Sequence, residues 1–206
     1  IPADAAAVGV LDLGQVMKKM DYEKFTETAM FQDMIADIEG DNAEYLQDLM
    51  KNPKNSGIAT NGKICMYVNM ESQDELSVSF LLPIRSLKDL EAMFDKAAEK
   101  DDSPFKNIME GEGFKYIEDS KNDSKISLGW NKKMLCFSIS EKQNTTENLK
   151  EVFDIKRKES IMTNKKFKAD KSEGHDFMLW VNSTPILEAV MKDEKMAKQL
   201  TQPLFF

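Results

Sequence analysis

Histidine and cysteine are nearly missing from this chain: it has one His and two Cys in 206 residues. That scarcity excludes a good deal. A single imidazole, His175, builds neither a multi-histidine zinc site nor an H-E-x-x-H helix. A Ser-His-Asp or Cys-His centre would have to use His175, which lies beside Gly174 at a strand entrance, where a turn residue is expected. Two cysteines cannot staple a chain of this size. Cys65 and Cys136 both fall in strand-like stretches and read as buried free thiols, with one disulfide between adjacent strands as the alternative. No apolar run is long enough to span a bilayer, and nothing within these residues reads as a signal peptide. The G-x-x-x-x-G-K-[ST] phosphate loop and the G-x-S-x-G elbow are both absent. Positive charge is also short. A formal net charge of -8 argues against a nucleic-acid backbone or an anionic lipid surface as partner. Lys165, Lys166, Lys168 and Lys171 form the one visible basic cluster and read as a solvated loop.

What the chain does have is core-forming material in ordered patterns. Hydrophobic residues make up 41% and charged residues 31%, enough for a core with a wet surface. Residues 5–20 read as a strand, a corner and a helix. Val8 and Val10 alternate, Asp12 stands at the helix N-cap, and Leu13, Val16, Met17 and Met20 make one apolar stripe. The same order returns at 176–196, with Phe177, Leu179 and Val181 alternating before a corner at 182–184 and Pro185 as first helical residue. Two such units predict an internal repeat whose second copy starts just before the chain stops.

Between them, a helix is expected over 23–39, stopped by Gly40, and another follows Asp41 and Glu44, a capping-box-like pair. Strands at 63–70 and 75–82 form a hairpin. Val78 and Phe80 share one face, while Ser77 and Ser79 share the other, expected to be the wetter. A helix from Ser86, strands at 114–117, 125–130 and 133–139, and a helix after Asn144 complete the first unit. The lysine-rich stretch 160–174 reads as mobile. Short strand connections without regular βα alternation predict an α+β protein, with an antiparallel or mixed sheet and helices packed on one side. The expected domains are 1–160, a linker at 161–174, and a truncated βα repeat at 175–206.

Candidate chemistry is sparse. Glu110-Gly111-Glu112-Gly113 lacks the strand and helix of a dinucleotide fingerprint and reads as a turn. The carboxylate pairs Asp101-Asp102, Glu118-Asp119 and Asp193-Glu194 read as solvated helix ends and turns. Residues 170–176, DKSEGHD, are faintly like a calcium loop but lack the third acidic ligand and the bidentate Glu. The fourteen methionines fall mostly on helix stripes, as core filler or as an adaptable groove. Trp130 and Trp180 are the candidate ligand-binding residues. Trp130, at a hairpin turn, is placed to offer a flat platform to a sugar or peptide, with core packing as the competing reading.

The opening IPADAAAVGVLDL, and NPKNSGIATNGKICMYV at 52–68, resemble a bacterial family catalogued as domain of unknown function 4836. Its Pro-x-Asp-Ala opening is matched at residues 2–5 and its acidic strand end at Asp12. Its Pro-x-x-Ser-Gly-Ile turn is matched at Pro53 and at Ser56, Gly57 and Ile58. The likeness covers the whole chain as the N-terminal part of a longer protein. It implies a secreted lipoprotein of the Gram-negative envelope, with a lipid-bearing cysteine upstream of Ile1. It carries no catalytic residues across. The Ile1-Pro2 start and the apolar Leu204-Phe205-Phe206 end likewise read as the ends of a trimmed fragment.

The resulting expectation is a binding module rather than an enzyme, without cofactor or metal. It would contact a protein or glycan partner and no nucleic acid, and meet the membrane only through the lipid anchor. The alternative is a small molecule or glycan held in a cleft between sheet and helices.

Overall fold

The computed structural model describes residues 1–38, 43–72, 75–99, 103–121, 124–140 and 145–192. Gly40, the capping residues Asp41 and Asn144, the pairs Asp101-Asp102 and Asp193-Glu194, and the apolar Leu204, Phe205 and Phe206 lie outside the described residues.

The chain opens as its sequence predicts. Strand β1 (Ala7–Asp12) runs into helix α1 (Leu13–Met20), and the Asp12 carboxylate accepts from Gln15 N at 3.1 Å. The single helix expected over 23–39 is two, α2 (Tyr22–Thr26) and α3 (Ala29–Ala36). The break comes from Thr28, whose hydroxyl takes the Phe31 amide at 3.2 Å and so starts a new helix. Helix α4 (Ala43–Lys51) leads through a short 3-10 turn at Pro53–Ser56 to Gly57. Gly57 has φ 77°, and a Cβ there would stand 2.5 Å from Leu90 N and Ser86 O. Only glycine fits, because the turn lies against the start of the next helix.

Strands β2 (Lys63–Ser72) and β3 (Glu75–Pro83) form the expected hairpin. Helix α5 (Leu87–Ala98) follows, its Ser86 cap accepting from Asp89 N at 3.2 Å. Next come β4 (Met109–Glu110), β5 (Lys115–Lys121), β6 (Ser124–Trp130), β7 (Met134–Ser140) and helix α6 (Thr145–Asp154). The chain then makes helix α7 (Lys165–Ser172), strand β8 (Phe177–Val181) and helix α8 (Ser183–Lys192).

All eight strands join one sheet in the order β4-β5-β6-β7-β3-β2-β1-β8, and every neighbouring pair is antiparallel. The architecture is α+β with the antiparallel form of the expected sheet. The segment expected as a mobile linker is built in. Ile161 and Phe167 are each 1% exposed, and Asn164 caps α7 by accepting from Phe167 N at 3.1 Å. Phe167 is the physical reason, since a bulky apolar side chain on a short helix recovers free energy only by reaching the core. Strand β8 pairs with β1, so the sheet carries no seam between 1–160 and 175–192.

Antiparallel pairing puts directly opposed residues on one face. One row runs Trp180, Val8, Tyr67, Ser79, Ser138, Ser127 from β8 to β6. Helix α6 covers it with Leu149 and Val152, and Phe167 of α7 packs on Trp180. The serine face is therefore the driest part of the protein, the reverse of the wetter face expected. Ser77, Ser79, Ser127 and Ser138 are at most 1% exposed. Small side chains let the helix approach, and Gly129 lies closer still, where a Cβ would meet the Phe153 ring at 2.9 Å. Three of these four hydroxyls find partners: Ser79 and Ser138 bond at 3.0 Å, and Ser127 donates to Thr145 O at 3.1 Å, whereas Ser77 Oγ has none among the described residues. On the opposite face, α5 covers one end, laying Leu90 and Phe94 on Ile117, Trp130 and Leu135.

Candidate functional site

Beyond α5, that opposite face is an apolar surface. Leu179, Gly9, Met66, Phe80 and Phe137 form one cross-strand row from β8 to β7. Val181, Ala7, Val68, Val78 and Ile139 form the next. No charged side chain interrupts either row. The central residues Val68, Val78, Phe80 and Phe137 are only half-buried, and Phe177, Leu179 and Val181 at the β8 edge are 59%, 57% and 56% exposed. Five strands at about 4.8 Å spacing and two rows at about 7 Å give roughly 300–400 Å² of flat footprint. Fully burying each such side chain is worth about 1.5–3 kcal/mol, so leaving many of them open forgoes substantial stability. Patches of roughly 300–600 Å² are the usual largest on a monomer's surface and are often functional.

The covered face holds a second feature. Between the sheet and α7 lies a cavity of about 340 Å³. Val10, Cys65, Leu81 and Met134 floor it, and Ile161 and Phe167 roof it. Lys63, Lys133 and Lys171 stand around it, and among the described residues no acidic side chain lines it. Lys63 pairs with Asp12 at 3.4 Å, while Lys171 Nζ lies 3.7 Å from Met162 Sδ. Lys171 is half-buried at the cavity's margin, unlike exposed Lys165, Lys166 and Lys168 of the same cluster.

The residues singled out by sequence fall elsewhere. Trp130 is 1% exposed, its ring 4.7 Å from Phe94, and its indole N–H donates to Glu91 Oε1 at 3.4 Å. Trp180 is 9% exposed against Phe167. Neither offers an open aromatic platform. Trp130 was placed at a turn by sequence, but α5, distant along the chain, lies over it. Beside it, Lys115 bonds Glu91 at 2.9 Å and holds that carboxyl below the usual carboxylate range, which keeps it ionised.

His175 is exposed and 3.1 Å from Glu173, not beside a nucleophile. Asp170, Lys171 and Ser172 of the faint calcium-like stretch belong to α7, and only residues 173–176 form a connection to β8. Among the described residues no cluster of three His, Cys, Asp or Glu could hold a metal ion, and no helix is long and apolar enough to cross a membrane. Cys65 and Cys136 are free thiols. Leu81 of β3 pairs with both, so two strand spacings, about 10 Å, separate them, too far for a disulfide.

Sequence reasoning found every strand of the apolar face except short β4, which lies outside it, but not which face was open. The alternation of β2, β3 and β8 was the available signal. The cavity left no local signal, since Lys63, Lys133 and Lys171 lie far apart in the chain.

A family model described as domain of unknown function (DUF4836) matches residues 1–201. No curated protein and no solved structure matches the chain.

Proposed function

We propose a non-enzymatic, partner-binding role for this chain, which belongs to the domain of unknown function 4836 family: it is an interaction module of a secreted, lipid-anchored envelope protein, and it docks another protein on the open face of its sheet. The envelope setting follows from the sequence resemblance. The docking role is carried by one observation, the uncharged apolar rows that end in exposed Phe177, Leu179 and Val181.

The chemistry of the face selects the occupant. It offers no side-chain donors or acceptors for sugar hydroxyls, which would lose their hydrogen bonds to water on docking. A net charge of -8 repels an anionic bilayer and a second copy alike. The occupant that fits is a different protein with an apolar contact surface and a neutral or basic rim.

A photo-crosslinking residue placed at Leu179 in the full-length protein, in its native envelope, tests this. The expected result is a covalent adduct with a different polypeptide, absent when the same group replaces exposed Lys168 on the other side of the sheet. Adducts only of twice the protein's own mass, only with lipid, or none at all would overturn the docking proposal. Recovery of the full-length protein in the soluble cytoplasmic fraction would overturn the envelope setting.

A further inference from the structure

The cavity beneath α7 lies on the face opposite the apolar rows, so what it binds is independent of the docking surface. Two properties define its ligand. The walls are aliphatic and aromatic, formed by Val10, Leu81, Met134, Ile161 and Phe167, so the body of the ligand is apolar. Among the described residues the charged side chains that line it are all cations, Lys63, Lys133 and Lys171, although the whole chain carries -8. Three ammonium groups around one small cavity repel one another, and an excess of carboxylates elsewhere leaves Lys133 and Lys171 without an ion pair among the described residues. An anionic group there would relieve that repulsion.

We propose that this cavity binds a single-chain alkyl carboxylate, with its hydrocarbon chain over Val10, Leu81 and Phe167 and its carboxylate among Lys63, Lys133 and Lys171. The volume, about 340 Å³, is near the lower end of the roughly 300–1,000 Å³ usual for ligand pockets. It holds one short chain and excludes a two-chain lipid. The head group is an anion held by lysine point charges without a guanidinium fork, and a carboxylate is the smaller such group beside a chain that already fills much of the cavity. Lysines supply point charges on flexible stems; Lys63 is already paired with Asp12, and a carboxylate has two oxygens to share between the remaining Lys133 and Lys171. The Cys65 thiol in the floor reports on occupancy. Burial raises its pKa, and Lys171 and Lys63 partly offset this, which places those two cations within electrostatic reach of the floor.

Calorimetric titration of the chain with sodium dodecanoate, dodecanol and dodecyl phosphate, all below their micelle concentrations, tests the assignment. Dodecanoate binds saturably at one site, and dodecanol binds at least tenfold more weakly. The double variant Lys133→Glu/Lys171→Glu changes one exposed and one half-buried side chain, neither in an ion pair among the described residues, and leaves the melting curve in place, yet weakens dodecanoate at least tenfold. Bound dodecanoate slows alkylation of Cys65 by N-ethylmaleimide. The sheet-face variant Leu179→Glu binds dodecanoate as the parent does. The proposal is overturned by absence of saturable binding, by binding indifferent to the lysine reversals, or by an unprotected Cys65. Loss of binding in Leu179→Glu would move the ligand to the other face and equally overturn it. Dodecyl phosphate binding tenfold tighter than dodecanoate would overturn the carboxylate assignment.

Discussion

Cys136 and Tyr67 carry ionisable groups into the driest layer of the protein, both 0% exposed. Burial pushes the Cys136 thiol from its usual value near 9 up to about 12. It also raises the Tyr67 phenol well above its ordinary range, and the neighbouring Ser79 hydroxyl, already bonded to Ser138, offsets only part of this. The sign follows from linkage. In the unfolded chain the Cys136 thiol ionises above about pH 9, whereas in the fold it stays neutral to about 12. Its contribution is therefore complete below pH 9 and is lost progressively as pH rises toward 12. Midway, near pH 10.5, the loss from this one group is about 2 kcal/mol. Urea unfolding at pH 8 and pH 10.5 should show a drop of at least that size, and Cys136→Ala should shrink it. The presence of both residues in strands was legible from alternation. Burial of Cys136 as a free thiol was expected as well, but the depth of Tyr67 was not, because Ser79 and Ser138 mark their face as polar and only the approach of α6 makes it dry.

At the scale of elements, α7 shows what local reading misses. Four lysines within 165–171 dominate its composition, and Phe167 alone turns it toward the core. A lone aromatic in a polar stretch carries no periodicity, so nothing local distinguishes an anchor from an exposed ring. The structure predicts a clear outcome. Phe167→Ala should cost about 3–5 kcal/mol in chemical denaturation, whereas a change of under 0.5 kcal/mol would be expected of a solvated linker. The division of 23–39 into two helices has the same origin. Thr28 is a weak signal inside an apolar pattern, and the side chains of Tyr22, Phe25 and Phe31, packed ring against ring, fix the bend.

For the whole molecule, the sheet has two faces of opposite logic. One is lined in part by serines and covered; the other is lined by valine, methionine and phenylalanine and is half open. The native protein should therefore enhance the fluorescence of an anilinonaphthalene dye. Replacing Phe177 and Leu179 together by Glu should remove most of that signal without lowering the melting temperature, since both side chains are more than half exposed. The α+β class and the individual strands were legible from hydrophobic pattern. The order of strands was not, because the pairing of β1 with β8 joins residues about 170 positions apart, and no local pattern encodes such a partner. That pairing also constrains assembly in time. β1 leaves the ribosome among the first residues of the described chain, yet one of its two hydrogen-bonding edges stays unmatched until residue 181 has emerged. Throughout that interval this edge of Val8, Gly9 and Val10 has none of its native strand partners to pair with.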